Sequence, residues 1–312
     1  MAIFLRVLGA LVIAVGLTDV FQTLFHPAGR GAMSDWIARV IWKTFRRLSS
    51  RNRGFLTFAG PVAILVTITT WAVLTVLGFA LIYLPDINAG YVYTNGIHQA
   101  TIPLWGAVDS SIEALITLSD GAYAKPVWMR LMRSSEAVIG FGLLTASMSW
   151  LLSLYPVLEN RRSVAHRATL LHHAELETGK NLFGERSTTV ETLIYGMAAD
   201  LTTLRNQMVQ FPISYYFHMD ENNTALAGIL PYIAELADRA VAVRDAPMLQ
   251  IAGTALGGAV EDFLQVLAEI FLRMPKHDKR EILLRYADEQ MFEPVVLGSP
   301  YLVADQKQRS GS

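Results

Sequence analysis

The chain has no cysteine among its 312 residues. Disulfides, thiolate nucleophiles and cysteine-ligated zinc are therefore excluded. Charge is also scarce: Asp, Glu, Lys and Arg make up 17% of the residues, against about 25% in ordinary soluble domains. The charges nearly cancel, to a formal net of -1, so no basic field favours nucleic acid. There is no phosphate-cradling glycine-rich loop with a lysine and no H-E-x-x-H, and Ser, His and Asp are scattered outside any strand-turn-helix context. Nothing here points to an enzyme, and no cofactor is expected. The start, Met1 to Arg6, has little of the charged region of a signal peptide, and no small-residue cleavage site follows its apolar run. That run reads as a retained anchor.

Hydrophobic residues are plentiful, at 52%. Three long apolar stretches stand out: about Ala2 to Phe25, interrupted by Arg6 and Asp19, then 55–84 and about 137–158, both uncharged. About 20 apolar residues cross a bilayer as a helix, so all three qualify. Between the first two lie Arg30, Arg39, Lys43, Arg46, Arg47, Arg51 and Arg53, against the single acid Asp35. After the third come Arg161, Arg162 and Arg167, while residues 85–127 hold only Lys125 as a base. The positive-inside rule places both basic flanks in the cytoplasm and the N-terminus and the 85–127 loop outside. Ser34–Leu48 has apolar residues at helical spacing with bases opposite, the pattern of a helix lying in the inner interface.

From Glu159 the composition becomes soluble-like. Thr188-x-x-Glu191 has the form of a capping box, and Gly179 and Pro212 mark breaks. Asn222-Asn223 precede a helix toward Arg244, with Pro231 inside it. Ala246–Met274 is apolar but carries Glu261, Asp262 and Glu269, so it reads as a packed helix rather than a span. Pro275 ends it, and Asp278 is placed to cap a last helix to Phe292. No strand-rich stretch is expected, and 304–312 reads as a disordered tail.

Ser110–Leu118 is apolar but too short to cross. A short helix with an irregular return is tolerated at membrane depth only when buried in protein or lining a water-filled path. The residues carry a resemblance. Val108-Asp109-Ser110 and Thr117-Leu118-Ser119-Asp120-Gly121-Ala122-Tyr123-Ala124 resemble the pore-helix and filter stretch of the potassium channel superfamily. Arg130 through Glu136, Ile139-Gly140-Phe141-Gly142-Leu143-Leu144 and Ser149-Trp150-Leu151-Leu152 are similar to the inner helix of bacterial two-transmembrane-pore members. The resemblance covers about 55–158. It extends over most of the chain with a group of bacterial members that share the first helix, ending Leu24-Phe25-His26-Pro27, and the stretch Gln210 to His218.

The resemblance implies an all-α membrane protein with a potassium-channel-like pore module. Its parts are an N-terminal helix (1–27), a basic interfacial segment (28–54) and a pore module (55–158) with outer helix 55–84, pore helix and filter-like loop 108–126 and inner helix 131–158. A cytoplasmic helical domain (159–303) follows. The implied function is a pore-forming subunit of a homotetramer in the bacterial inner membrane, with potassium or sodium ions and lipid as partners.

The filter departs from the family's T-x-x-T-x-G-Y-G-D. Without a gap, Asp120 replaces the second threonine, Ala122 and Ala124 replace the glycines, and Lys125 replaces the acid; Thr117 and Tyr123 are kept. Alanine in a left-handed conformation costs about 1–2 kcal/mol, so two such sites in four subunits sum to the order of 10 kcal/mol. An unmodified potassium filter is not expected. With one gap, Thr117-Leu118-Ser119-Asp120-Gly121 matches the T-V-G-D-G filter of the non-selective sodium–potassium relative. A ring of Asp120 attracts cations, a ring of Lys125 repels them, and Glu136 at the pore mouth would offset Lys125.

Other residues keep two readings. Thr117 and Glu113 stand behind the constriction. Gly140 and Gly142 are gating hinges or close-packing sites. Thr145 and Ser149 line a cavity or bond back to their own helix. Asp19 is either a functional intramembrane charge or a structural partner near the inner interface. His166, His172, His173, Glu175 and Glu177 lack metal-ligand spacing and read as a solvated juxtamembrane helix able to titrate near neutrality; no metal site is expected. Phe211–His218 reads as a docking segment of the helical domain. The alternative function is a non-conducting sensor or scaffold that keeps the channel fold, favoured by Ala122, Ala124 and Lys125.

Overall fold

The computed structural model describes residues 1–26, 29–49, 53–93, 103–118, 122–184, 188–218, 225–274 and 278–295. The expectations on Ser119, Asp120, Gly121, Asn222-Asn223, Pro275 and the tail lie outside these residues. The elements of the described residues are helical apart from one small sheet. It divides into two compact units: Met1–Arg47 with Phe58–Tyr155 and Gln210–Tyr216, and Leu48–Thr57 with Pro156–Val209 and the remainder from Phe217.

The first unit opens with α1 (Ala2–Leu24), α2 (Ala32–Leu48) and α3 (Ala59–Tyr83). A one-turn α4 (Ile87–Gly90) leads into strand β1 (Tyr91–Tyr93). Then come α5 (Pro103–Leu115), strand β2 (Ala122–Ala124) and α6 (Val127–Thr178). Among the described residues, three helical segments are long and apolar enough to cross a membrane: α1, the continuous stretch Gly54–Asp86 that contains α3, and α6. The three apolar stretches of the sequence are these helices, and the protein is an integral membrane protein.

Helices α1 and α3 run antiparallel. Arg6 pairs with Asp86, and the Trp71 indole reaches Asp19. Between those contacts the backbones nearly touch at two glycines. A Cβ on Gly9 would sit 2.4 Å from the Gly78 carbonyl oxygen, so only a hydrogen fits there. Small residues at such crossings are the usual means of close packing between apolar helices.

Three sequence expectations change. The short helix begins at Pro103 rather than 108, because proline's fixed φ and missing N–H suit the first helical turn. The inner helix begins at Val127 and does not stop at 158; it runs unbroken to Thr178. The change in composition at Glu159 alters what the helix faces, not its backbone. Pro156 removes one ladder bond, and the helix ends where Gly179 turns left-handed at φ +64°. Strand was not expected, yet β1 and β2 pair antiparallel, with Tyr91 opposite Ala124, Val92 opposite Tyr123 and Tyr93 opposite Ala122.

The second unit holds the distal part of α6, then α7 (Thr188–Gln210, whose last residue belongs to the first unit), α8 (Leu226–Ala242), α9 (Pro247–Val266) and α10 (Lys279–Glu289). A wide π-helical turn at Leu267–Leu272 follows α9 and closes at Arg273, φ +57°. Distal α6 and α7 are joined by Arg167–Asp200 at 2.7 Å and Asn160–Gln207 at 2.9 Å. Asp278 occupies the N-cap position of α10 as expected, but its side chain makes no capping bond. Glu175 joins the end of α6 to α8: Arg239 grips it with two N–H groups at 2.6 and 3.0 Å, Tyr232 donates its hydroxyl at 2.8 Å, and the Leu182 amide donates at 2.7 Å. Burial and this carboxylate push the Tyr232 hydroxyl well up from its ordinary range, so it remains a donor. Of the residues expected on a solvated His/acid face, His166, His173 and Glu177 are exposed, whereas Glu175 is bound as above and His172 packs edge-on against the Tyr232 ring at 4.8 Å.

Candidate functional site

Among the residues expected to carry function, Glu113, Glu136 and Gly140 come together where α5 meets α3 and α6. Ala107 and Ser111 of α5 are buried, and their small size lets α5 lie close on α3. A shared core of Phe79, Ala80 and Tyr83 from α3, Ala107 from α5, and Ala124 and Met129 around the return holds them together.

Glu136 stands at the centre of this packing and is fully buried. The Tyr83 hydroxyl of α3 donates to its Oε2 at 2.8 Å. Ser111 of α5 bonds its Oε1. The Ser111 hydroxyl also lies 3.0 Å from the Val76 carbonyl oxygen of α3. One carboxyl thus ties three elements together. Arg133, one turn earlier on α6, donates to Ser110 at 3.1 Å and stands 3.7 Å from Glu113. The expectation that Glu136 faces a pore mouth and offsets Lys125 is corrected: Lys125 is exposed, whereas Glu136 is enclosed by Tyr83 and Ser111. Glu113, expected behind the constriction, is part-buried against Arg133.

The end of α5 is a Schellman turn. The Thr117 amide donates to Ala114 O at 3.2 Å and the Leu118 amide to Glu113 O at 2.8 Å. The motif needs a left-handed residue, usually glycine. Here it is Thr117, at φ +58°. A β-branched side chain in that region is a true outlier, and strain of this kind concentrates at functional sites. Thr117 and Leu118 are exposed.

Ala122–Ala124 is an extended strand paired with β1, and the Lys125 amide continues the pairing to Gly90 O at 2.7 Å. In such a ladder successive carbonyls point to opposite edges. They do not form the one-sided column of carbonyls that a potassium filter uses. The expectation that Ala122, Tyr123 and Ala124 build that column is corrected on this ground.

Gly140 and Gly142 separate. A Cβ on Gly140 would lie 2.1 Å from the Leu115 carbonyl oxygen, so Gly140 is the seat for the end of α5. Gly142 has nothing within 4 Å. Thr145 bonds back to Phe141 O at 2.9 Å. It shares an exposed face of α6 with Val138, Phe141, Leu144, Met148, Ser149 and Leu152. In a membrane protein that face meets lipid or a second copy.

A second node was legible only in part. Asp19, buried in α1, accepts the Met33 and Ser34 amides at 2.9 and 3.3 Å and the Trp71 indole N–H at 2.9 Å. It caps the start of α2 from another helix, with Thr23 and Ser34 hydroxyls 2.6 Å apart beside it. Asp19 is thus the structural partner that one of its two readings proposed. Of the stretch Phe211–His218, expected as a docking segment of the helical domain, the residues up to Tyr216, with the turn Pro212–Tyr216, belong to the first unit, and Phe217 and His218 belong to the second. Trp42 of α2 packs on Tyr215 and Tyr216 at 6.2 and 5.9 Å between ring centres. The signal was present in the aromatic pair, but its partner lies 173 positions upstream.

No family model matches the chain, and no solved structure matches it. It is similar to the uncharacterized membrane protein YdjJ of Bacillus subtilis (strain 168), with 26% identity over 219 residues, which are 69% of this chain. The matched stretch spans 63% of that relative's length.

Proposed function

We propose that the chain is the pore-forming subunit of a tetrameric, potassium-channel-like cation channel whose constriction is not strictly potassium-selective. It sits in the bacterial inner membrane with its N-terminus outside and residues 159–303 in the cytoplasm. The observation that carries this reading is α5: thirteen residues, too short to span, seated between two spanning helices by Glu136 and Gly140. A half-helix buried between spans is the device by which irregular backbone is held at membrane depth. One subunit supplies one such helix, so a shared axis requires several copies. Potassium and sodium ions are the permeant class, with Asp120 as the acid that draws them.

Purified protein in liposomes tests this. The expected result is cation flux that falls on Asp120→Asn, with crosslinked species up to four copies. Absence of flux at every voltage and pH overturns it.

One observation favours a second reading. The strand pairing of Ala122–Ala124 with Tyr91–Tyr93 occupies backbone that a filter would use. A non-conducting channel-fold protein, acting as a sensor or scaffold through its helical half, fits that pairing.

A further inference from the structure

Ser111 has one hydroxyl proton and two neighbours that ask for it. Its Oγ lies 3.0 Å from the Val76 carbonyl oxygen and is also bonded to Glu136 Oε1. A carbonyl only accepts, and an ionised carboxylate only accepts. If Glu136 were ionised, one of the two contacts would hold no hydrogen. If Glu136 carries a proton, every contact is satisfied. Glu136 then donates to Ser111, Ser111 donates to Val76, and Tyr83 donates to the second carboxyl oxygen at 2.8 Å.

The surroundings agree with the neutral form. Glu136 is fully buried in an apolar span, where an ionised carboxylate needs a paired cation. The titratable or charged groups facing it from the packed elements are Tyr83 of α3, Glu113 of α5 and Arg133 of α6. Arg133 is the single cation among them, and it is shared with Glu113 and Ser110. Glu113 stands beside that guanidinium, whereas the contacts of the enclosed Glu136, to Tyr83 and Ser111, are completed by a proton.

We infer that Glu136 is a proton-binding site, a neutral carboxylic acid that latches α5 to α3 through the Ser111 hydroxyl. Its deprotonation sends the proton to solvent and leaves a negative charge on Glu136. The Ser111 O–H then turns from Val76 O to the carboxylate, and α5 loses its bond to α3. The inference rests on α5 being the re-entrant helix of the proposed channel, and it makes protons a regulator of that helix.

The test uses the full chain in lipid nanodiscs, with glutamate side-chain carboxyls labelled with carbon-13. Infrared spectra at neutral pH are expected to show a label-shifted protonated-acid carbonyl band. That band disappears in Glu136→Gln and moves in Ser111→Ala. Hydrogen exchange of α5 amides, corrected for intrinsic rate, is expected to rise roughly tenfold at alkaline pH, the factor for loss of one hydrogen bond. In Glu136→Gln, where the amide donates permanently, it should stay flat. Only carboxylate bands in the wild type at neutral pH, or the same alkaline response in wild type and variant, overturns the inference. Should the variant fail to fold, titration of the labelled wild type alone decides. Neither readout needs ion flux, so failure here is separable from failure of the channel reading.

Discussion

The Trp71 indole N–H donates to Asp19 at 2.9 Å, joining the third helix to a carboxylate that also caps the second helix from the first. Three donors converge on one buried acid, so its side chain fixes the relative placement of α1, α2 and α3.

Asp19→Ala strands the Met33 and Ser34 amides and the indole together. Loss of a buried acceptor with its donors left in place is expected to cost about 2–4 kcal/mol. Trp71→Phe, which removes one donor only, should cost about 1 kcal/mol from the hydrogen bond. Thermal unfolding in detergent ranks the two; equal losses would mean the cap on α2 contributes nothing.

Thr117→Gly is expected to stabilise the protein. Thr117 holds a left-handed backbone at the end of α5, at a cost of about 1–2 kcal/mol that glycine does not bear. Glycine's greater freedom in the unfolded chain takes back part of that, leaving a gain of about 0.5–1 kcal/mol. Thr117→Ala keeps the strain and should give no such gain. A loss of stability in the glycine variant would show that the threonine side chain holds the turn by contacts of its own.

Gly9→Val should separate α1 from α3, because a Cβ there meets the Gly78 carbonyl oxygen at 2.4 Å. Overpacking of this kind costs about 1–3 kcal/mol. Gly142→Ala, on an open face of α6, should be close to neutral. Comparing the two in the same unfolding assay separates packing from hinge behaviour. A strong effect of Gly142→Ala on flux without one on stability would restore the hinge reading at that position.

Arg239→Lys should weaken the second unit, since a single ammonium cannot reproduce the two-pronged grip on Glu175. The loss is expected at about 1–3 kcal/mol, the range of a charge-assisted bond in a part-buried site. In Glu175→Gln, the further change Arg239→Lys should cost much less. A double-mutant cycle measures the coupling, and a coupling of zero would place the contribution elsewhere, in the stacking of Arg239 on Phe183.

Much of the architecture was legible before any coordinates. Three apolar runs of sufficient length become three long helices, because hydropathy over about 20 residues is a strong signal. The amphipathic stretch from Ser34 becomes α2, and the breaks at Gly179 and Pro212 stand where expected. Other features were hidden for identifiable reasons. The end of α6 was set too early because composition, not helix propensity, changes at Glu159. The strands were missed because three residues are too few for an alternating pattern to register. Glu136 was placed by its distance from a span end, and its true neighbours Tyr83 and Ser111 lie 53 and 25 positions away. A local reading of charge cannot find partners at that range.

The short turn at Pro212–Tyr216 sets a limit on how this polypeptide can be divided. Its five residues are buried, and Trp42, on which its two tyrosines stack, comes from the N-terminal third of the chain. A fragment started at Glu159 to obtain the helical half without lipid would carry Tyr215 and Tyr216 without the Trp42 ring they stack on. Such a fragment should stick to itself or to detergent, however polar the rest of it is.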